Sequence, residues 1–312
     1  MKRKTKAQIA AERVEWTREA IHADLSAYRG KARRILAPKA SCADLLTFYP
    51  TTDLHLGMLT WGKETGTSWD LKIASETILR AFGNLLASTP ASHTAALIDF
   101  GDYLHANDQR NATPTSGHQL DVDGRFPKII KEAARIRREM IEMALQKHKR
   151  VIYRGLPGNH DPEAAQWISL SMALFFERNP RVVIDTAPAD FWFYRHGVCM
   201  LAANHGHKTR AKLLPAIMAA YEPAMWGATE FRYGFSGHIH HETSGEDGGA
   251  IWETLRTPAP RDAFAHQHGY AAGRGLVAIT YHSSLGERVR HTEPICKPSR
   301  SSPSPRLQQS RA

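Results

Sequence analysis

The chain has 312 residues, 42% of them hydrophobic and 23% charged, and carries a formal net charge of +10. It is long enough to bury a substantial core, in one large domain or two small ones. Its apolar runs fall far short of a bilayer span, which excludes a transmembrane helix, and three scattered cysteines (Cys42, Cys199, Cys296) exclude a disulfide framework.

The basic charge is uneven. Residues 1–40 carry a net +7 and residues 291–312 a net +3, so the residues between them balance. Basic ends of this kind can meet a nucleic acid, or simply keep the termini solvated. The basic start, Met1-Lys2-Arg3-Lys4, is followed by no hydrophobic signal core, so a cytoplasmic protein with no membrane partner is expected.

Residues 5–36 read as one long amphipathic helix, with Ile9, Trp16, Ile21, Leu25, Tyr28 and Ile35 near helical spacing. The stretch 1–40 is therefore taken as a basic N-terminal helical arm. Strand and helix then alternate: a strand at 45–49, a helix over 70–88, and a strand at 95–100 running into Gly101-Asp102. Residues 103–125 form a long polar connection without a period, and loops of that length are usually functional or disordered. A strong helix follows over 126–148, then a strand at 151–153. The turn Gly155-Leu156-Pro157-Gly158-Asn159-His160-Asp161 leads into a helix over about 162–178.

Beyond it strands dominate, at 182–184, 191–194, 198–201, 231–235, 251–254 and 276–281, with one helix over about 208–221. Beta-alpha units followed by mostly strands predict an α/β (α+β) fold, two sheets face to face with helices outside. Residues 41–295 make the main domain. Residues 296–312, rich in Ser, Pro, Arg and Gln, read as a disordered basic tail.

Groups able to bind a metal recur at five places, each at or just beyond a predicted strand. They are Asp53-Leu54-His55, Asp102, Asn159-His160-Asp161, Asn204-His205-Gly206-His207 and Gly237-His238-Ile239-His240. In Asp-x-His and His-x-His, alternate side chains of an extended segment share a face, so one short loop can offer two ligands. Each motif alone is an ordinary polar turn. Five in one α/β domain are not coincidence. At the third place His160 can give or take a proton, and Asp161 can hold its tautomer through a hydrogen bond.

The order D-x-H, G-D, G-N-H-D, H, G-H-x-H resembles the signature of the calcineurin-like metallophosphoesterases over about residues 45–290. The resemblance implies a four-layer double β-sandwich flanked by helices, with two metal ions sharing a carboxylate. Carried over, Asp53, His55, Asp102 and His240 would hold the first ion. Asp102, Asn159, His205 and His238 would hold the second. His160 would be the catalytic histidine, with Asp161 orienting it; His207 and Arg110, the latter in the 103–125 loop, are candidate substrate contacts.

Two divalent ions about 3.5–4 Å apart can activate a bridging water and clamp phosphate oxygens. Carboxylate, imidazole and amide ligands without thiolate fit Mn²⁺, with Fe or Zn²⁺ as alternatives, better than Mg²⁺ alone.

The first motif and Gly-Asn-His-Asp are similar to those of the DNA-repair exonuclease branch, although the residues after Asp102 depart from it. The stretch Trp226–Ile295 resembles members encoded in phages and prophages. A nuclease-like phosphodiesterase is the leading expectation. A phosphomonoesterase, a protein phosphatase or a small-nucleotide phosphodiesterase comes next. A catalytically silent nucleic-acid-binding scaffold is the rival from another class, and the complete set of ligand positions speaks against it.

Overall fold

The apolar runs at 45–49, 95–100 and 151–153 become neighbouring strands of one sheet. A computed structural model describes residues 29–295. In it β1 (Cys42–Thr51), β2 (Ser92–Asp99), β3 (Arg150–Gly155) and β4 (Val182–Asp185) run parallel, side by side in that order. β10 (Gly275–His282) joins β1 antiparallel, and β11 (Gly286–Pro294) closes this six-stranded sheet.

The second sheet has five strands. β5 (Phe191–His196) pairs antiparallel with β6 (Cys199–Asn204), and β7 (Phe231–Ser236) lies parallel to β6. β9 (Ala250–Thr254) is parallel to β7, with β8 (Thr243–Asp247) on its outer edge.

The strand period decides which side chain faces which layer. Leu46 and Phe48 of β1 and Ala96 and Ile98 of β2 point to the second sheet, where they meet Trp192, Leu201, Ala203 and Phe235. Phe48 stacks on Trp192 at 6.0 Å and lies 5.1 Å from the Phe235 ring. Burying one such ring contributes about 1.5–3 kcal/mol. Tyr49 points the other way, into a larger cluster formed with the helices.

These helices are α2 (Leu71–Ser88), α3 (Phe126–Lys147) and α4 (Ala164–Phe176), preceded by a short α1 (Gly62–Thr65). Asp70 caps α2 by accepting from the Ile73 amide at 2.7 Å. On the far face of the second sheet, α5 (Leu214–Tyr221) covers Met200 and Ala202 with Met218. Short α6 (Pro223–Gly227) and α7 (Ala263–Gln267) complete the helices among the described residues. The order is helices, sheet, sheet, helix: the four-layer α/β sandwich that was expected.

Some expectations need correction. Most of the helix expected over 5–36 lies outside the described residues, as does the tail from Cys296. The described part of that helix, 29–36, is not helical. Gly30 turns the backbone to φ 63° and donates its amide to the Leu174 carbonyl at 2.9 Å, and Ala32 donates to Phe175. A left-handed glycine stops a helix, so this segment continues as an irregular strap against the end of α4.

The 103–125 connection is built into the domain rather than loose. Tyr103, Leu104, His105, Ala106, Asn107 and Leu120 are buried, and Leu56 pairs with Leu104 in an isolated β-bridge. The helix expected from 208 starts only at Leu214, after a single 3₁₀ turn at Ala211–Leu213.

Candidate metal centre

All five motifs converge beyond the carboxyl ends of β1, β2, β3, β6 and β7, the edge where parallel sheets present loops. Six non-glycine residues among those described have positive φ. Five of them are Asp53 (51°), His55 (44°), Asp102 (51°), His238 (68°) and His240 (57°), each a sequence-predicted ligand. A side chain held in this region costs about 1–3 kcal/mol and persists only where the surroundings impose it. Here it turns five donors out of their strands and onto one spot.

Close backbone approach tightens the spot further. A Cβ on Gly158 would lie 2.0 Å from Asp102 Oδ1, and one on Gly101 would lie 2.6 Å from the Gly158 amide nitrogen. The two glycines let the β2 and β3 loops touch.

The donors form two groups, Asp53 with His55 and His240, and Asp102 with His205 and His238. Within each group the ligand atoms lie within 4.8 Å of one another. His240 Nε2 stands 3.2 Å from Asp53 Oδ1 and 3.2 Å from His55 Nε2. His205 Nε2 stands 3.3 Å from Asp102 Oδ2 and 2.9 Å from Asn159 Oδ1, which brings Asn159 into the second group. The His238 amide donates to Asp53 Oδ2 at 2.9 Å and thereby ties the groups together. The Thr52 hydroxyl donates to the same oxygen.

The electrostatics call for cations. Asp53 and Asp102 are buried, which by itself would raise their pKa values. Yet His240 beside Asp53 and His205 beside Asp102 hold both carboxyls below the usual range. Burial likewise opposes protonation of His205, but Asp102 lifts its imidazole to about 9, and Asp53 raises His240. Each buried carboxylate thus favours a proton on the histidine beside it. A divalent ion replacing those protons would meet carboxylate, imidazole and amide donors with no thiolate, a set that fits Mn²⁺, Fe or Zn²⁺.

His160 sits beside this pair, with its ring 4.8 Å from that of His55. Its Nδ1 is 2.8 Å from the His105 carbonyl oxygen. A carbonyl only accepts, so the proton is on Nδ1 and Nε2 is left for chemistry.

This corrects the role assigned to Asp161. Its carboxylate does not reach the His160 ring; it accepts from the amides of Asp102 (3.0 Å), Leu104 (2.9 Å) and Gly158 (3.2 Å). It therefore pins the two ligand-bearing loops, and the orienting group is the His105 carbonyl. Burial and the neighbouring Asp102 push the Asp161 carboxyl well above its ordinary pKa.

His207 borders the second group, its ring 5.0 Å from that of His205, and its buried Nδ1 has no hydrogen-bond partner among the described residues. Burial, then the nearby His205, keeps it neutral with a pKa of about 4. Arg110 is not directed at the donors. It is exposed and forms a pair with Asp108, Nε to Oδ2 2.8 Å. The residue that the motifs missed is His105, 2% exposed, with Nδ1 3.3 Å from His55 Nδ1. Its only sequence signal was its position three residues after Asp102.

No family model and no curated protein matches the chain. Solved structures do resemble it. A predicted phosphoesterase from Streptococcus pneumoniae is 10% identical over 81% of this chain and 100% of its own, with a TM-score of 0.34. Vps29 complexed with zinc from Entamoeba histolytica is 9% identical over 80% and 98%, with a TM-score of 0.35. A putative 5'-nucleotidase from Staphylococcus aureus is 10% identical over 83% and 56%, with a TM-score of 0.39. Likeness at this level does not bear on activity, which has to be read from the side chains.

Proposed function

We propose that this chain is a dinuclear-metal phosphoesterase that hydrolyses phosphodiester bonds of nucleic acid. The observation that carries the reading is the pair of adjoining donor groups, five of whose side chains are held in left-handed backbone. Two divalent ions bound there would polarise the phosphate oxygens and supply a nucleophilic water at neutral pH.

The rest of the work belongs to the chain. In this reading Asp102 is shared between the ions; His205 Nε2 stands 3.3 Å from its Oδ2, and the His160 amide donates to its Oδ1 at 2.8 Å. Asp53, His55 and His240 would complete one ion's ligands, and Asn159, His205 and His238 the other's. His160, tethered at Nδ1, keeps Nε2 free to pass a proton to the leaving oxygen or to stabilise charge on the phosphorus. Asp53, Asp102 and Asp161 are all buried, so these carboxyls are shielded from bulk water. A polyanionic substrate suits the net charge, which is carried by the two ends of the chain.

Metal analysis joined to a substrate panel tests this reading. The panel comprises p-nitrophenyl phosphate, its bis-ester, single- and double-stranded DNA, and cyclic nucleotides. Two divalent ions per chain and preference for the diesters are expected, and Asp102→Ala should lose both the ions and the activity. A protein that binds no divalent ion, or cleaves nothing in the panel when loaded, would overturn the proposal. Exclusive cleavage of the monoester would remove the nucleic-acid assignment.

A further inference from the structure

Three histidines, His55, His105 and His160, bring ring nitrogens within 4.8 Å of one another, yet His55 already belongs to the first donor group. The contacts show how the cluster divides. His55 Nε2 faces His240, which itself lies against Asp53, and in the phosphoesterase reading that nitrogen presents its lone pair to the first ion. A neutral imidazole has one N–H, so the His55 proton is on Nδ1. That atom lies 3.3 Å from His105 Nδ1, which must then accept and carry its own proton on Nε2.

We propose that His105 is a positioning residue that fixes both the tautomer and the aim of His55 toward the first metal ion. This deepens the phosphoesterase reading and rests on it for the identity of the site.

The supporting frame is rigid. The His105 amide donates to the Leu56 carbonyl at 3.0 Å, next to the Leu56–Leu104 bridge, so the loops bearing His55 and His105 are stitched together residue by residue. Burial of both rings keeps bulk water from competing for the His55 proton. The same residue also serves the opposite side of the cluster. Its ring stacks on that of His160 at 5.3 Å and 20°, and its carbonyl holds His160 Nδ1. One loop residue thus links a metal ligand to the proposed acid. A partner that holds the far nitrogen of a ligating histidine typically contributes 10–100-fold in metal affinity.

Two variants separate hydrogen bonding from packing. His105→Phe keeps a ring and the backbone carbonyl but removes the acceptor. His105→Asn puts an amide oxygen close to where Nδ1 stood. Zn²⁺ is titrated calorimetrically into the metal-free full-length proteins, and thermal melts of the same samples report folding. The expected result is that His105→Phe binds the first Zn²⁺ 10–100-fold more weakly with little change in melting temperature. His105→Asn should stay within a few-fold of wild type.

Wild-type affinity in His105→Phe, or equal losses in both variants, would overturn the inference. Should His105→Phe fail to fold, nitrogen-detected NMR of the wild-type imidazoles decides. Protons on His55 Nδ1 and His105 Nε2 are required, and the opposite tautomers would overturn it. A wild type that binds Zn²⁺ yet cleaves no phosphoester would sink the phosphoesterase reading and leave this inference standing.

Discussion

His160 and Asp161 are neighbours in sequence with opposite tasks. His160 keeps one ring nitrogen tethered and one free, whereas the Asp161 carboxylate is consumed by three backbone amides. His160→Ala should therefore retain both ions and lower kcat by about 10²–10⁴-fold, the range for a lost general acid. Loss of metal without a separate catalytic defect would instead make His160 a ligand. Asp161→Asn should act through stability, because an amide cannot accept from all three donors and its own NH₂ would face N–H groups. A cost of about 1–3 kcal/mol in urea unfolding is expected, with the pH dependence of kcat unmoved. A shifted pH profile in that variant would restore the orienting role to Asp161. The motif was legible in sequence because its residue types are chemically unusual side by side. The partnership within it was not, because the turn sends adjacent side chains in different directions.

Strands with continuous apolar runs, such as 276–281, were plain from sequence because both faces of the first sheet are covered. β8 and β11 were not, because they are edge strands whose side chains are mostly exposed or half-buried and show no apolar alternation. The 103–125 connection hid its order for a related reason: its contacts are isolated bridges to other loops, which leave no period in the sequence.

Element contacts also make two predictions. At the crossing of the β2 and β3 loops, Gly158→Ala would drive a methyl into Asp102. Metal content should fall although no ligand is replaced, and a variant with two ions bound at wild-type affinity would show that the loops can separate. At the opposite end of the strands, His148 joins α3 to β1 and β2, with Nε2 3.0 Å from the Tyr49 hydroxyl and Nδ1 2.9 Å from Ser92 Oγ. Burial lowers its pKa from 6.5 to about 4. The folded state binds fewer protons than the unfolded chain between those values, so this contribution is intact above pH 6.5 and fades as pH falls toward 4. Between pH 6.5 and 5 the loss is about 1.5 kcal/mol. Urea unfolding of the metal-free protein should show that much more acid sensitivity in wild type than in His148→Gln. Parallel curves for the two proteins would refute it.

On the scale of the whole molecule, the candidate metal site and the charge are separate. The donors lie at one edge of an electrically balanced domain, while the net +10 is carried toward the two ends of the chain. Five of the basic residues, Arg29, Lys31, Arg33, Arg34 and Lys39, fall in the described strap beside α4. Two of these are already engaged, Arg29 with Glu177 at 2.7 Å and Arg33 with Glu142 at 3.4 Å. The strap is also structural, since Arg181 donates to the Ile35 carbonyl and Ile35 packs on the core. A truncation at residue 41 would therefore strip packing along with charge, whereas a chain spanning residues 29–295 keeps the strap. That chain should turn over a small phosphodiester at the full-length rate, because the donors and His160 are intact. Its affinity for DNA should drop, and its salt dependence should flatten by about 0.9 in slope for each duplex phosphate that the ends no longer neutralise. Some salt dependence should survive, carried by Lys31, Arg34 and Lys39. Binding isotherms at several salt concentrations, with a melting curve as a folding control, measure both effects. Unchanged DNA affinity in a folded 29–295 chain would mean that the outer ends do not touch the polyanion, and recognition would then have to come from the strap or the cleft.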